Sequence, residues 1–251
     1  MQIPDFALIV LIGVSGSGKS TFARRHFKPT EILSSDAFRA MVSDNENDQE
    51  ATNDAFEALH SLMKVRLRRR KSVVVDATNI QPDARKALLE IAKAHDCLSV
   101  ALILDTPEKV CRERNSLRED RQFGAHVITR QLAQMRQGIR NLKREGFRYQ
   151  FTLTEEERET VSIERVPLWT DRREEKGAFD LIGDVHGCFT ELTELLTLLG
   201  YAPHPDTQIW GHAEGRRLVF LGDLVDRGTG VVETVKLAMA MCGKEIGRAH
   251  V

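Results

Sequence analysis

Apolar residues along the chain fall into short unbroken runs separated by amphipathic stretches. The run from Ala7 to Ile12 enters a glycine-rich turn, and Lys19 to about His26 suits a helix, giving strand, loop and helix in succession. A second short strand, Glu31 to Ser34, leads to Ser35 and Asp36 and then to a helix-compatible stretch around Ala37 to Val42. The polar run Ser43 to Asp48 predicts a loop. Gln49 to Lys71 reads as a helix with acidic residues early and basic residues late, the polarity that suits a helix dipole. Ser72 to Asp76 (SVVVD) and Leu98 to Asp105 (LSVALILD) are continuously apolar rather than alternating, as strands covered on both faces must be, and the helix Asp83 to Ala94 lies between them. After Pro107 come a charged helical stretch to about Gln122, a long helix from about Ile128 to Glu145, and a strand near Tyr149 to Leu153. The alternation predicts an α/β fold with a doubly wound parallel sheet. Around Pro167 to Gly177 the periodicity stops and the chain becomes polar, which reads as a linker, and a new strand begins at Phe179.

Length and charge sharpen this picture. With 251 residues, the chain suffices for one full α/β domain and a fragment of another. The expected boundaries are a first domain at 1–169, a linker at 170–178, a second domain's amino-terminal fragment at 179–244, and a non-native tail at 245–251. Thirty-six basic and 37 acidic residues leave a net charge of −1, so a nucleic-acid partner must be held by a local basic patch. The basic run from Lys64 to Lys71 reads as a solvated helix face rather than such a patch. Cys97, Cys111, Cys188 and Cys242 fall in no metal-ligand spacing and read as reduced thiols of a cytoplasmic protein. The apolar run Phe6 to Ile12 is too short to span a bilayer, and no membrane partner is expected.

Gly13 to Thr21 (GVSGSGKST) has P-loop spacing, with Gly13, Gly18, Lys19 and Ser20 at the defining positions and Ser15, Gly16, Ser17 and Thr21 completing the loop. Glycines let backbone N–H groups converge on phosphate oxygens, and the following helix presents its positive end to the same anion. Lys19 should reach the β- and γ-phosphates and Ser20 should ligand Mg²⁺. Asp76, ending the VVVD strand, suits a Walker-B-type acid that holds the metal or its waters; the alternative is a helix cap or turn residue. Asp105 has a similar but weaker setting.

Transfer of a phosphoryl group to an alcohol needs a proton acceptor, and Asp36, at the end of a neighbouring strand, suits that role. The alternative is a plain helix N-cap. Arg39, three residues on, shares its helical face and could grip an acceptor phosphate. In CRERNSLREDR, Arg114 and Arg118 share a helix face and could close over a triphosphate as arginine fingers do; the alternative is a salt-bridged surface.

Taken together, the P-loop, SSDAFR, DQEATNDAFEALH, VVVDATN, CRERNSLREDR and REGFRY resemble the kinase domain of the bacterial polynucleotide kinase-phosphatase family of RNA repair, from about Ala7 to Trp169. The resemblance implies ATP- and Mg²⁺-dependent phosphorylation of the 5′-hydroxyl ends of RNA or DNA. By motif position it makes Lys19 the P-loop lysine, Ser20 the metal-binding serine, Asp36 the general base, and Arg114 and Arg118 the lid arginines. Arg39 and Gln49 become acceptor-binding candidates. It also implies an RNA methyltransferase partner.

Beyond the linker, Asp184, His186 and Gly187 (GDVHG), then Gly222, Asp223, Asp226, Arg227 and Gly228 (GDLVDRG), look like the first two motifs of a calcineurin-type metallophosphoesterase. This implies that Asp184 and His186 ligand one metal and Asp223 bridges to a second, a divalent pair of the Mn²⁺ type that clamps a phosphate. The asparagine- and histidine-bearing motifs that complete such a site do not follow Val235, so the expectation is an incomplete site, an inactive phosphatase and no ligase module. The last seven residues, EIGRAHV, are what GAG ATC GGA AGA GCA CAC GTC encodes, and all but its first codon match a common sequencing adapter; a non-native tail is the reading.

Two rivals share the P-loop. One is a kinase of a small metabolite, as in gluconate or adenylylsulfate kinases, and the other is a nucleotide-gated RNA-binding module without turnover. The phosphoesterase motifs disfavour the first, and the combination of Lys19, Ser20, Asp36 and Arg114 disfavours the second.

Overall fold

The computed structural model describes residues 1–117, 124–168, 171–242 and 247–249. The chain divides into two compact units, Met1–Asp171 and Arg172–Val251. In the first, the elements run β1 (Gln2–Pro4), β2 (Ala7–Ile12), α1 (Lys19–His26), β3 (Ile32–Ser34), α2 (Ser35–Ser43), α3 (Thr52–Arg68), β4 (Val73–Asp76), α4 (Pro82–Ala94), β5 (Leu98–Leu104), α5 (Glu108–Ser116), α6 (Ala125–Gly138), α7 (Leu142–Glu145), β6 (Tyr149–Leu153), α8 (Glu155–Thr160) and β7 (Glu164–Val166).

Among the described residues, β3, β4, β2, β5 and β6 form a five-stranded sheet in that order, parallel throughout. Its central strand explains the unbroken apolar runs. On β2, Leu8, Val10 and Ile12 enter a core shared with α3, α4 and α6, while Ala7, Ile9 and Leu11 enter one shared with α1. Successive side chains of a strand point to opposite faces, so a strand buried on both sides must be apolar at every position. The fold is a doubly wound α/β sheet of the P-loop type.

Three boundaries differ from the sequence pattern, each for a local reason. The helix expected from Gln49 to Lys71 spans only Thr52 to Arg68, because Arg70 takes a left-handed conformation (φ 54°) and Arg66 turns its guanidinium back onto the Ser72 carbonyl at 3.0 Å. The helix expected from Ile128 to Glu145 starts at Ala125 and breaks after Gly138 into a 3₁₀ turn, Ile139–Asn141, before α7. There the Gly138 carbonyl accepts from the buried Arg85 at 3.0 Å. The charged stretch after Pro107 is helical to Ser116, and residues 118–123 lie outside the described residues. The strands β1 and β7, three residues each, pair in parallel across 162 positions of sequence and were not anticipated.

The second unit runs β8 (Phe179–Ile182), α9 (Phe189–Leu198), β9 (Tyr201–Pro203), β10 (Trp210–His212), β11 (Arg217–Phe220), α10 (Val231–Cys242) and β12 (Gly247–Ala249). β8, β11 and β12 form a parallel sheet with β11 in the middle, and β9 and β10 pair antiparallel. Ile182, Leu218 and Phe220 pack with Leu192, Leu196 and Met241 in the core of this unit. Under it, Asp180 accepts from the Tyr201 hydroxyl at 2.9 Å and from Arg216 Nε at 2.8 Å. Arg216, with help from Tyr201, holds the Asp180 carboxyl down to about 2.

Candidate active site

The loop between β2 and α1 curls back at Ser17, whose N–H donates to the Val14 carbonyl at 3.1 Å. Gly16 sits at φ 81°, where a side chain would be strained, and a Cβ there would fall 2.5 Å from the Cys111 carbonyl oxygen of α5. Lys19 opens α1 and curls over the loop, donating to the carbonyl oxygens of Gly13 and Val14, each at 2.9 Å. Gly13 N–H donates to the Thr78 carbonyl at 3.1 Å, tying this loop to the one after β4.

Strand order decides what faces the loop. β4 lies directly beside β2, and β3 beside β4, so the residues at their carboxyl ends converge on the P-loop. Asp76 ends β4, is buried, and bonds to the Ser20 side chain. Burial pushes its carboxyl up, against the Ser20 hydrogen bond and the Lys19 charge. A hydroxyl and a carboxylate so placed are hard oxygen donors of the kind that can share a divalent cation.

Asp36 lies in the first turn of α2, with Ser34 at the N-cap position. Its carboxylate is bonded by Arg39, which is buried and also donates from Nε to the Glu46 carbonyl at 2.8 Å. A cavity of about 440 Å³ brings Lys19, Ser20, Asp36, Arg39, Gln49 and Asp76 together. Six expected site residues drawn from four segments thus share one space. The same cavity also admits side chains not expected there, among them Arg24, Phe56, Arg130 and Gln131.

Arg114 is elsewhere. It pairs with Glu155 at 2.5 Å and lines a second cavity of about 390 Å³, which shares Gly16, Gly18 and Thr21 with the first and is walled by Arg158 of α8. Arg158 is buried and bonds to Glu155 and to the Ser17 carbonyl. It also donates to Thr106 Oγ1 at 2.8 Å, and Thr106 in turn donates to the same Ser17 carbonyl at 3.2 Å. Arg118 lies outside the described residues, so the Arg114–Arg118 face is not on view. Asp105 is exposed.

In the second unit, ligand atoms of Asp184, His186 and Asp223 lie within 4.8 Å of one another. His186 sits at φ 51° with its Nδ1 2.8 Å from the Val225 carbonyl, which leaves Nε2 on the side of Asp184, 3.9 Å from its Oδ2. The Val185 and His186 N–H groups both donate to the Asp223 carbonyl at 2.8 Å, zipping the two motif loops together. Gly222 leaves room for this approach, since a Cβ there would fall 1.7 Å from Asp184 Oδ1. Two carboxylates and an oriented imidazole form a donor set that fits a divalent transition metal.

Residues 8–142, just over half of the chain, match the profile of the AAA domain family. The chain belongs to this family. Curated relatives include the asymmetrical bis(5′-nucleosyl)-tetraphosphatase PrpE of Halalkalibacterium halodurans, 46% identical over 67 residues, or 27% of this chain and 26% of that one. The PrpE of Bacillus subtilis (strain 168) is 46% identical over 59 residues, or 24% and 23%. The chain therefore spans about a quarter of the length of these curated relatives. Among solved structures, the Pnkp1/Rnl/Hen1 RNA repair complex is 15% identical with a TM-score of 0.47, covering 100% of this chain and 80% of that one. Kti12 of Chaetomium thermophilum with ADP-AlF3 is 20% identical with a TM-score of 0.46, covering 61% and 94%. A sugar kinase of Janibacter sp. HTCC2649 is 22% identical with a TM-score of 0.41, covering 59% and 84%. At TM-scores this low, none of the three bears on what the site does.

Two contributors to this AAA domain's loop escaped sequence reasoning. Gln131 accepts the Ser15 N–H through Oε1 at 2.9 Å; nothing in its local sequence marks it. Arg158, beyond the matched residues, is carried by α8, whose start is a capping box. Thr154 and Glu157 satisfy each other's backbone N–H groups, and the Thr-x-x-Glu spacing was the available signal. Among the described residues no helix is long and apolar enough to cross a membrane.

Proposed function

We propose that the first unit transfers the γ-phosphoryl group of ATP to the 5′-hydroxyl end of an RNA or DNA strand. The observation that supports this is the shared cavity of Asp36, Lys19, Ser20 and Asp76. In this reading Lys19 leaves the Gly13 and Val14 carbonyls for the β- and γ-phosphate oxygens, while the loop N–H groups cradle them. Ser20 and Asp76 would hold Mg²⁺, which when bound would supply neutralisation of the phosphate charge. Asp36 accepts the proton of the attacking hydroxyl, and Arg39 holds that carboxylate in place. Arg114 and Arg118 remain candidates for closing over the triphosphate, and Gln49 for touching the acceptor. The domain limits 1–169, 170–178 and 179–244 belong to the same reading, as do an RNA methyltransferase partner and a cytoplasmic site of action.

The deciding experiment incubates the full chain with γ-labelled ATP, Mg²⁺ and a 5′-hydroxyl oligonucleotide, alongside Asp36→Asn. Label transfer lost in the variant supports the reading. Label passed to a sugar but not to the oligonucleotide would establish a small-metabolite kinase instead, and RNA binding without transfer a binding module.

A second reading concerns the other unit. Asp184, His186 and Asp223 support a metallophosphoesterase site, and the curated relatives are named as asymmetrical bis(5′-nucleosyl)-tetraphosphatases. These residues would hold a divalent cation of the Mn²⁺ type, whose bound form supplies Lewis acidity toward a phosphate. Mn²⁺ titration by calorimetry, compared with His186→Ala, tests it: equal uptake by both proteins ends the reading.

A further inference from the structure

The kinase reading leaves one charge unaccounted for. A polynucleotide that offers its 5′-hydroxyl to Asp36 brings its first internucleotide phosphate into the same cavity, about one nucleotide away. Three guanidiniums line that space: Arg24, Arg39 and Arg130. Arg39 is buried and committed to Asp36 and to the Glu46 carbonyl. Arg24 and Arg130 are exposed, and neither has a hydrogen bond or ion pair among the described residues.

Both are held at the cavity by elements that also hold the phosphate loop. Arg24 is one helical turn after Ser20 on α1, and its charge is felt at Asp76. Arg130 precedes Gln131, whose side chain is fastened to the Ser15 N–H, so α6 fixes both at the cavity. Two unspent, forked cations beside a proton acceptor fit a phosphodiester better than a neutral sugar.

We propose that Arg24 and Arg130 bind the first internucleotide phosphate of the acceptor strand and are positioning residues that set the preference for polynucleotides. The assignment rests on the kinase reading above. It makes the acceptor's charge at one linkage the quantity to vary.

The test uses the full chain, labelled ATP, Mg²⁺ and two 5′-hydroxyl tetranucleotides that differ only in whether the first linkage is a natural phosphodiester or an uncharged methylphosphonate. The expected result is that the unsubstituted protein prefers the natural acceptor by about 10- to 100-fold in kcat/KM, the size of a charged hydrogen-bond contact. In the double variant Arg24→Gln/Arg130→Gln, the natural acceptor should lose a similar factor and the neutral linkage should cost nothing further. Arg130→Lys, which keeps the charge, should recover part of the preference. The proposal is overturned if the unsubstituted protein uses both acceptors equally, or if the double variant keeps the full discrimination. Transfer to neither acceptor by the unsubstituted protein would instead remove the kinase reading itself.

Discussion

The guanidinium of Arg39 is bonded at one end to the carboxylate of Asp36 and at Nε to the Glu46 carbonyl, so a loop residue fixes the angle at which the carboxylate faces the cavity. Under the kinase reading this predicts a graded pair of variants. Asp36→Asn should lower the transfer rate by about 10²- to 10⁴-fold, the usual contribution of a proton acceptor. Arg39→Gln keeps the acceptor but loosens it, and should show a smaller fall, carried by kcat more than by the KM for ATP. Steady-state kinetics with an oligonucleotide acceptor check both; equal losses would mean the two residues serve one structural role.

Arg85 is fully buried and forks onto Glu145, at 2.7 and 2.8 Å, while also bonding the Asn79 and Gly138 carbonyls. Removing the carboxylate leaves a buried unpaired charge. Glu145→Ala should therefore destabilise the first unit by about 3–5 kcal/mol, and Arg85→Met/Glu145→Leu should recover most of that. Denaturant unfolding of the full chain, followed at the transition of this unit, measures both.

At the other cluster, Gly222→Ala should displace the Asp184 carboxylate, since the added carbon would lie 1.7 Å from Oδ1. Mn²⁺ affinity should fall by at least about 10-fold, the scale of a disturbed ligand shell. Gly211→Ala is the control, because a Cβ there meets nothing within 4 Å, and its affinity should match that of the unsubstituted chain.

Acid should act on the second unit through Asp180. Its carboxyl is held below the ordinary carboxylate value, at about 2, so the ionised form belongs with the folded state. The stabilisation is complete above about pH 4 and is lost as pH falls toward 2. Trp210 packs against the core of this unit, and its fluorescence in a Trp169→Phe background should report that loss. Asp180→Asn should flatten the acid limb while lowering stability at neutral pH.

Much of the site was legible because its chemistry sits at strand ends. Asp36 and Asp76 could be picked out from the strands before them, and the P-loop from its spacing. What placed both acids beside Lys19 was the order β3, β4, β2, which the sequence does not state. The commitment of Arg39 was hidden for a similar reason. Its i,i+3 spacing puts it near Asp36, but its second partner is a backbone carbonyl in a loop that has no pattern. Arg114 has helical spacing suited to a lid, but its pairing with Glu155 in the neighbouring cavity depends on α8, a helix 41 positions later that no local spacing reports. The strands β1 and β7 are too short to show a period.

The bond between Arg158 and the Ser17 carbonyl spans 141 positions of sequence. A ribosome that has released only the first hundred and fifty residues has already made the whole phosphate loop, the acid beside it and the helix that follows. It has not yet made the brace beneath them. Under the kinase reading, nucleotide capture by the emerging chain should accordingly wait for α8, so stalled or prematurely terminated products would carry every residue of the loop and still hold ATP poorly.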